Sequence, residues 1–279
     1  MFGVDIIDIH GGLGNQMFEY ALFLSLRKRH PWRLYLFDNR YSKGVHQGYE
    51  LHKLFKVKTT WRTKGFSAMC RLVPMWIKSM PIYKEASPFR YEEEVWFQKV
   101  GTYYEGCWQS EEYFAGIEKQ IREVYTFDER MLNARTVALS KQIESDGTYA
   151  SIHVRRGDYI QEGRFLCSIE YYHEAVKVLQ EKFLNLHFVV FSDDIEWVRK
   201  CIDIPNAIYV DWNIEADSWQ DMYLMSVCHH NIIANSTFSW WGAWLNNHKD
   251  KIVIAPPMWL DEETKKIDII PDTWRILEK

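Results

Sequence analysis

The second half of the chain alternates without a break between short apolar runs and longer segments of helical period. "YASIHV" leads to "SIEYYHEAVKVLQEKF", "HFVVFSD" to "DIEWVRKCI", and "AIYV" to "SWQDMYLMSVCHH"; "NIIAN", "STFSWWGAWLNN" and "KIVIAP" continue the series. Strands that alternate with helices run parallel, because each helix returns the chain to the same edge of the sheet. The alternation therefore predicts a doubly wound α/β sheet. The first half opens the same way, with "VDIIDI" as strand, "HGGLGNQ" as glycine turn, "MFEYALFLSLRKR" as helix and "RLYLFD" as strand. Between about 40 and 120 the pattern blurs into aromatic and basic loops. A helix is expected near 68–78, and a further strand and a helix start in "TYYEGCWQSEEYF". "FDERMLNARTVALSKQIES" reads as the helix that leads into the regular half.

A length of 279 residues leaves room for two modest domains. The net charge of −4, with no Lys/Arg run forming a polyelectrolyte stripe, argues against nucleic acid as the main ligand. A small anion held by a few placed arginines stays open. Five cysteines, at 70, 107, 167, 201 and 228, are odd in number and lack CxxC spacing, as reduced thiols of a cytosolic protein do. Most of the 13 Trp, 16 Tyr and 15 Phe are expected in the core, although such rings also suit sugar faces. "MFGVDIIDIHGG" has no basic n-region, and no window reaches the ~20 apolar residues of a membrane span. The expectation is a soluble, cytoplasmic protein, with peripheral association at the cytoplasmic membrane left open.

Four polar clusters fall at the carboxyl ends of expected strands, where open α/β sheets bind ligands. In "HGGLGNQM", Gly12-x-Gly14 is followed by Met17 where the dinucleotide fingerprint has its third glycine, which speaks against a dehydrogenase. The loop is either a tight turn needing positive φ or a place where a ligand approaches the backbone, with Asn15 and Gln16 offering amides. In "HVRRGD", strand alternation puts His153 and Arg155 on one face, and a planar fork aimed past a strand end suits a phosphate. The plainer alternative is an ion pair of Arg155 or Arg156 with Asp158. In "FSDDIEW", Asp193 with Glu196 fits a capping box and Ser192 is a competing cap. In "NSTFSWW", Ser236, Thr237 and Ser239 can cap the helix, or its positive end can take an anion. Trp240, Trp241 and Trp244 are expected between sheet and helix. No Asp-x-Asp occurs, which weakens a divalent metal holding a nucleotide diphosphate.

Taken together and in order, "GGLGNQMFEYA", "GCWQSEEYF", "HVRRGDY", "FSDD" and "NSTFSWWGAWL" resemble the α-1,2-fucosyltransferases of glycosyltransferase family 11, from about residue 8 to 260. The resemblance implies a GT-B-type fold, two Rossmann-like domains with a donor cleft between them. The expected division is an acceptor-side domain over 1–135, a nucleotide-sugar domain over 136–260, and a segment 261–279 packing back on the first domain. It implies inverting, metal-independent transfer of fucose from GDP-β-L-fucose to O2 of a terminal galactose on an oligosaccharide. Arg155 matches the arginine that holds the donor pyrophosphate, with His153 before it; Asn15 matches the loop asparagine at the reacting centre, and Asp158 is the candidate base. Donor contacts are implied for Gly12, Gly14, Ser192, Asp193, Asp194, Asp221, Asn235, Ser236, Thr237 and Ser239. Gln16, Trp108 and Gln109 are placed on the acceptor side, and acceptor choice is expected in 40–100. Another linkage or acceptor, or a silent nucleotide- or glycan-binding module, are the competing readings.

Overall fold

The alternation read in the sequence becomes two separate parallel sheets. The computed structural model describes residues 4–38, 47–57, 79–260 and 262–277. The helix expected near 68–78 and Cys70 lie outside the described residues, as does much of the stretch assigned to acceptor choice. The chain divides into two compact units, Met1–Thr126 and Phe127–Lys279.

In the first unit, β1 (Val4–Asp8), β2 (Leu34–Asp38), β3 (Ile82–Lys84) and β4 (Tyr103–Glu105) pair in the order β2-β1-β4-β3, all parallel. The order reverses between β1 and β4, the kind of point at which open α/β sheets bind ligands. Helix α1 (Leu13–Arg29) follows β1 directly and is buried from Leu13 to Leu26 except at Asn15. It ends on Arg27, Lys28 and Arg29, whose charges suit the negative end of its dipole. Two short helices, α2 (Leu51–Leu54) and α3 (Glu118–Val124), complete the unit's α-helical structure among the described residues.

The second unit holds β5 (Thr148–Val154), β6 (Leu186–Ser192), β7 (Ala207–Val210), β8 (His230–Ile232), β9 (Val253–Ala255) and β12 (Arg275–Ile276) in one parallel sheet. A small hairpin of β10 (Met258–Trp259) and β11 (Glu262–Glu263) precedes the last strand. The order β12-β9-β8-β5-β6-β7 is that of a Rossmann sheet, with its switch point between β5 and β8. The helices are α4 (Ala134–Ser145), α5 (Gly157–Gln161), α6 (Ile169–Gln180), α7 (Ile195–Cys201), α8 (Trp219–Val227) and α9 (Thr237–Leu245). Strand alternation divides the core into two layers. Ala150, Ile152 and Val154 pack with Phe188 and Val190 on the α6 side, and Tyr149 packs with Val189 and Phe191 on the α4–α8 side. Trp240, Trp241 and Trp244 are all buried, as their spacing predicts.

Two boundaries differ from expectation. Residues 127–135 go with the second unit because Phe127 stacks on Trp219 at 5.8 Å and the Asn133 N–H donates to Gln220 (2.9 Å). The C-terminal segment, expected to pack back on the first domain, supplies β12 to the edge of the second sheet. Its apolar groups are spent there: Trp274 packs on Trp240, and Leu277 joins the core around α6.

Candidate active site

At the switch point of the second sheet, β5 ends and the chain leaves as Arg155-Arg156-Gly157-Asp158. Arg155 Nε stands 3.2 Å from Asp193 Oδ2, and its Nη2 stands 2.5 Å from Asp158 Oδ2. Asp193 follows β6, and its other oxygen accepts the N–H of Arg156 (2.9 Å) and of Gly157 (3.0 Å). These contacts use two of the five N–H groups a guanidinium carries, so its fork is fixed while donors remain for a bidentate anion. Gly157 permits the close approach: an added Cβ would lie 3.2 Å from the Asp193 carboxylate. Arg156 diverges, with Nε 3.3 Å from Asp194 and its guanidinium 3.9 Å above the Trp197 ring.

Asp194, not Asp193, caps α7, accepting from the Trp197 N–H at 3.3 Å; Ser192 Oγ accepts from the Asp194 N–H at 3.0 Å. The cap therefore moves by one residue, because Asp193 is drawn to the arginine loop, and the expected capping box with Glu196 is not formed, since the third residue after Asp194 is Trp197. His153 is buried beside the Phe238 ring. Burial first, and Arg155 second, push its pKa down to about 3, so it is a neutral ring that backs Arg155 and is unsuited to proton transfer.

Across the switch point, Ser236 stands at the N-cap of α9, yet its side chain makes no capping hydrogen bond. Ser239 Oγ donates to Ser236 O at 3.2 Å. The expected hydroxyl cap is thus unmade at Ser236. The Asn235 amide donates to Phe165 O (3.0 Å) and accepts from Cys167 Sγ (3.5 Å), which ties down the loop before α6. Thr237 opens the helix beside it. Asp221 lies in the first turn of α8 and accepts from Asn213 Nδ2 at 2.8 Å. Burial raises its carboxyl to about 8, against the pull of that hydrogen bond.

In the first unit the crevice between β1 and β4 gathers the glycine loop and the segment after Glu105. The positive φ falls on Gly11 (+70°), where an added Cβ would lie 2.7 Å from Asn15 Nδ2. Gly12 is the extended N-cap of α1, and Gly14 lies inside the helix. Asn15 Oδ1 accepts from Gln109 Nε2 at 3.1 Å, and the buried Gln109 Oε1 has no hydrogen-bond partner. Two expectations fail here. Gln16 is fully buried and spends its amide on Gly11 O (2.9 Å), Gly48 O (2.7 Å) and the Glu50 N–H (2.9 Å). Trp108 is fully buried, stacked on Tyr83 and edge-on to Tyr113, as a core residue is.

The sequence reading passed over the cluster beside them. His10 Nδ1 lies 3.0 Å from Glu19 Oε1 and 3.3 Å from Asp8 Oδ2, while Nε2 lies 3.8 Å from Cys107 Sγ. The His10 N–H donates to Glu19 Oε2 at 2.8 Å. Hydrogen bonding to Asp8, then to Cys107 and Glu19, holds the imidazole well above its usual range; burial pushes the Glu19 carboxyl up, against the pull of His10. Among the described residues, His10, Glu19 and Cys107 form the group whose donor atoms, within 4.8 Å of one another, could hold a metal. In the sequence the signal was a His two residues past β1 and an acid in the second turn of the largely apolar α1. Glu85, also buried, accepts the N–H of Cys107 (2.7 Å) and Trp108 (3.0 Å) and so sets the loop after β4.

Comparison with known proteins gives this arrangement its context. The family model described as glycosyl transferase family 11 matches residues 3–278. An alpha-1,2-colitosyltransferase of Escherichia coli is 36% identical over 96% of this chain and 97% of its own. A galactoside alpha-(1,2)-fucosyltransferase 1 of Leontocebus fuscicollis is 29% identical over 56% of this chain and 46% of its own. The solved fucosyltransferase NodZ from Bradyrhizobium superposes with a TM-score of 0.56 at 14% identity, over 87% of this chain and 91% of that one. That likeness bears on the fold, a pair of Rossmann-like units of GT-B type. With the family match running along nearly its whole length, the chain belongs to glycosyltransferase family 11.

Proposed function

We propose that the enzyme transfers L-fucose from GDP-β-L-fucose to O2 of a terminal galactose, forming an α-1,2 linkage with inversion. The observation that carries this is the Arg155 fork, fixed by Asp158 and Asp193 at the carboxyl end of β5, beside a strand that leads into the N-terminus of α9. Two independent sources of positive potential there suit a pyrophosphate.

In this reading the bond from fucose C1 to the β-phosphate oxygen breaks, and its electron pair leaves with GDP. Arg155 and the first turn of α9 take up that growing negative charge, which a preorganised site stabilises far better than water does. The acceptor O2 attacks C1 from the opposite face and loses its proton late, along a loose, oxocarbenium-like path. Asp158 orients Arg155, since its Oδ2 is already committed to that guanidinium. Asn15, held by Gln109, is the acceptor-side amide nearest the glycine loop, and Asp221 with Ser192 and Asp194 lies toward the nucleoside. No metal is assigned a step.

A second reading concerns the donor sugar. The relationship to an alpha-1,2-colitosyltransferase favours a GDP-sugar lacking the 3-hydroxyl of fucose. The deciding experiment offers GDP-fucose and GDP-colitose separately to lactose and to β-galactosyl-N-acetylglucosamine with EDTA present, wild type beside Arg155→Ala. Fucose on galactose O2, formed by wild type alone, is the expected result. Transfer of colitose only would replace the donor, and GDP binding with no transfer from either would leave a binding module. An Asp158→Asn enzyme of full activity would exclude Asp158 as base.

A further inference from the structure

Trp32 exposes 75% of its surface, Phe97 68%, Ile82 56% and Val100 49%, while no other tryptophan or phenylalanine among the described residues is exposed. The four are not scattered. Trp32 precedes β2, Phe97 and Val100 precede β4, and Ile82 begins β3, so all four lie at the amino edge of the first sheet, opposite its switch point. Contacts bind the two main segments into one face. The His30 ring lies 5.3 Å from that of Trp32, its Nε2 lies 3.1 Å from Trp96 O, and Arg33 Nη1 donates to Gln98 O at 2.9 Å.

The same face is basic. Helix α1 ends on Arg27, Lys28 and Arg29, and Lys99 stands between Phe97 and Val100. The Arg29 guanidinium lies 5.2 Å from the Trp96 ring centre and 5.9 Å from that of Phe97, so charge and ring share one surface. Arg33 is offset by Asp5 at 3.7 Å, and the exposed Glu93 and Glu94 are the acids of the adjoining turn. A net positive face on a chain of net charge −4 is a local feature with a direction.

We propose that this face docks the enzyme on a membrane surface rich in anionic phospholipid. Exposed apolar patches mark interaction sites, and aromatic rings flanked by long cationic side chains are the composition that sits at a bilayer interface. Trp32 and Phe97 enter the headgroup region while Arg29, lying along the Trp96 and Phe97 rings, and Lys99 reach the phosphates; Lys28 is held by Gly116 O at 2.9 Å. A second copy is the poorer occupant, since a two-fold contact would set this cationic face against itself. Among the described residues no helix is long and apolar enough to cross a membrane, so the docking is peripheral.

The test uses the full chain with vesicles of phosphatidylcholine alone and of phosphatidylcholine mixed with phosphatidylglycerol, read by flotation at low and high salt. Binding to the mixed vesicles, weakened by salt and nearly absent with phosphatidylcholine alone, is expected. Trp32→Ser with Phe97→Ser, through lost apolar burial, and separately Arg29→Glu with Lys99→Glu, through lost attraction to anionic headgroups, each reduce the partition coefficient by about tenfold or more. Leu184→Ser, at a 92% exposed apolar position of the second unit, binds as wild type does. Melting curves of all variants confirm that each is folded. No binding to the mixed vesicles overturns the proposal. So does binding unchanged in both pairs of variants, or a dimer that the same substitutions dissolve without any effect on vesicles.

Discussion

Arg155 and Asp193 meet through the guanidinium Nε, 3.2 Å from Oδ2, while the other oxygen of the same carboxylate holds the N–H groups of Arg156 and Gly157. One side chain from the end of β6 thus fixes both the fork and the backbone that carries it. A lysine in place of Arg155 would keep the charge but lose the Nε contact and the paired geometry. Arg155→Ala is expected to lower kcat/KM by at least ~10²-fold, by analogy with the loss of an oxyanion donor, and Arg155→Lys to recover only part of this. Steady-state transfer kinetics decide it; wild-type kcat/KM in Arg155→Lys would mean that charge alone suffices.

Asp193→Asn separates the two duties of that carboxylate. The amide oxygen can still accept from the backbone, but the charge opposite Arg155 is gone. In wild type the substitution should weaken GDP binding by about tenfold, the scale of one charge-assisted hydrogen bond. In an Arg155→Ala background it should cost far less, because the group it orients is missing. Calorimetric titration of GDP into the four proteins of this cycle measures the coupling; equal losses in both backgrounds would deny it.

The sheet topology was legible because apolar runs of strand length alternate with helical periods, and four polar clusters marked the carboxyl ends. The edges were less so. β12 has two residues, too short for any periodicity to register, and its place depends on the Trp240–Trp274 contact. Gln16 looked like a ligand group because an amide beside a glycine loop reads alike whether it faces a sugar or the backbone, and Trp108 because it sits in a motif that resembles the family's. Their burial is a tertiary fact that spacing does not encode. His10 was missed for the opposite reason: its partners Glu19 and Cys107 come from two other segments and converge only across the β1–β4 crevice.

His153 makes stability depend on pH. Its folded pKa is lowered to about 3 from 6.5, so the fold binds no proton there where the unfolded chain does. Its contribution is intact above pH 6.5, is lost progressively as pH falls, and levels off below about 3. Between pH 7 and pH 5 the wild type should lose about 2 kcal/mol more than His153→Asn, at ~1.4 kcal/mol per pH unit below the unfolded pKa. Denaturant melts of both proteins at the two pH values give the difference directly, and parallel losses would place a charged imidazole in the fold.

Asp8 first, with Cys107 and Glu19 after it, raises the His10 pKa. Glu19→Gln leaves an oxygen for the His10 N–H but removes one of the two carboxylates beside Nδ1, so the His10 pKa should fall by more than a unit. An NMR titration of the His10 ring in wild type and variant reads this without reference to activity. An unmoved titration would assign the proton to Asp8 alone.

Gly11 is the glycine of the loop that the backbone requires. At φ +70° a side chain is strained by ~1–2 kcal/mol, and the new Cβ would press on Asn15 Nδ2 at 2.7 Å. The amide is the movable end, so Asn15 should swing away and give up its contact with Gln109. Gly12, by contrast, has φ −75° and ψ 172°, which any residue adopts. Gly11→Ala should therefore lower stability by about 1–2 kcal/mol and kcat by tenfold or more, whereas Gly12→Ala carries no such backbone cost. Melting temperature and kcat measured side by side separate the two effects. A Gly11→Ala enzyme that loses stability but keeps its full kcat would show that the position of Asn15 does not matter to the reaction.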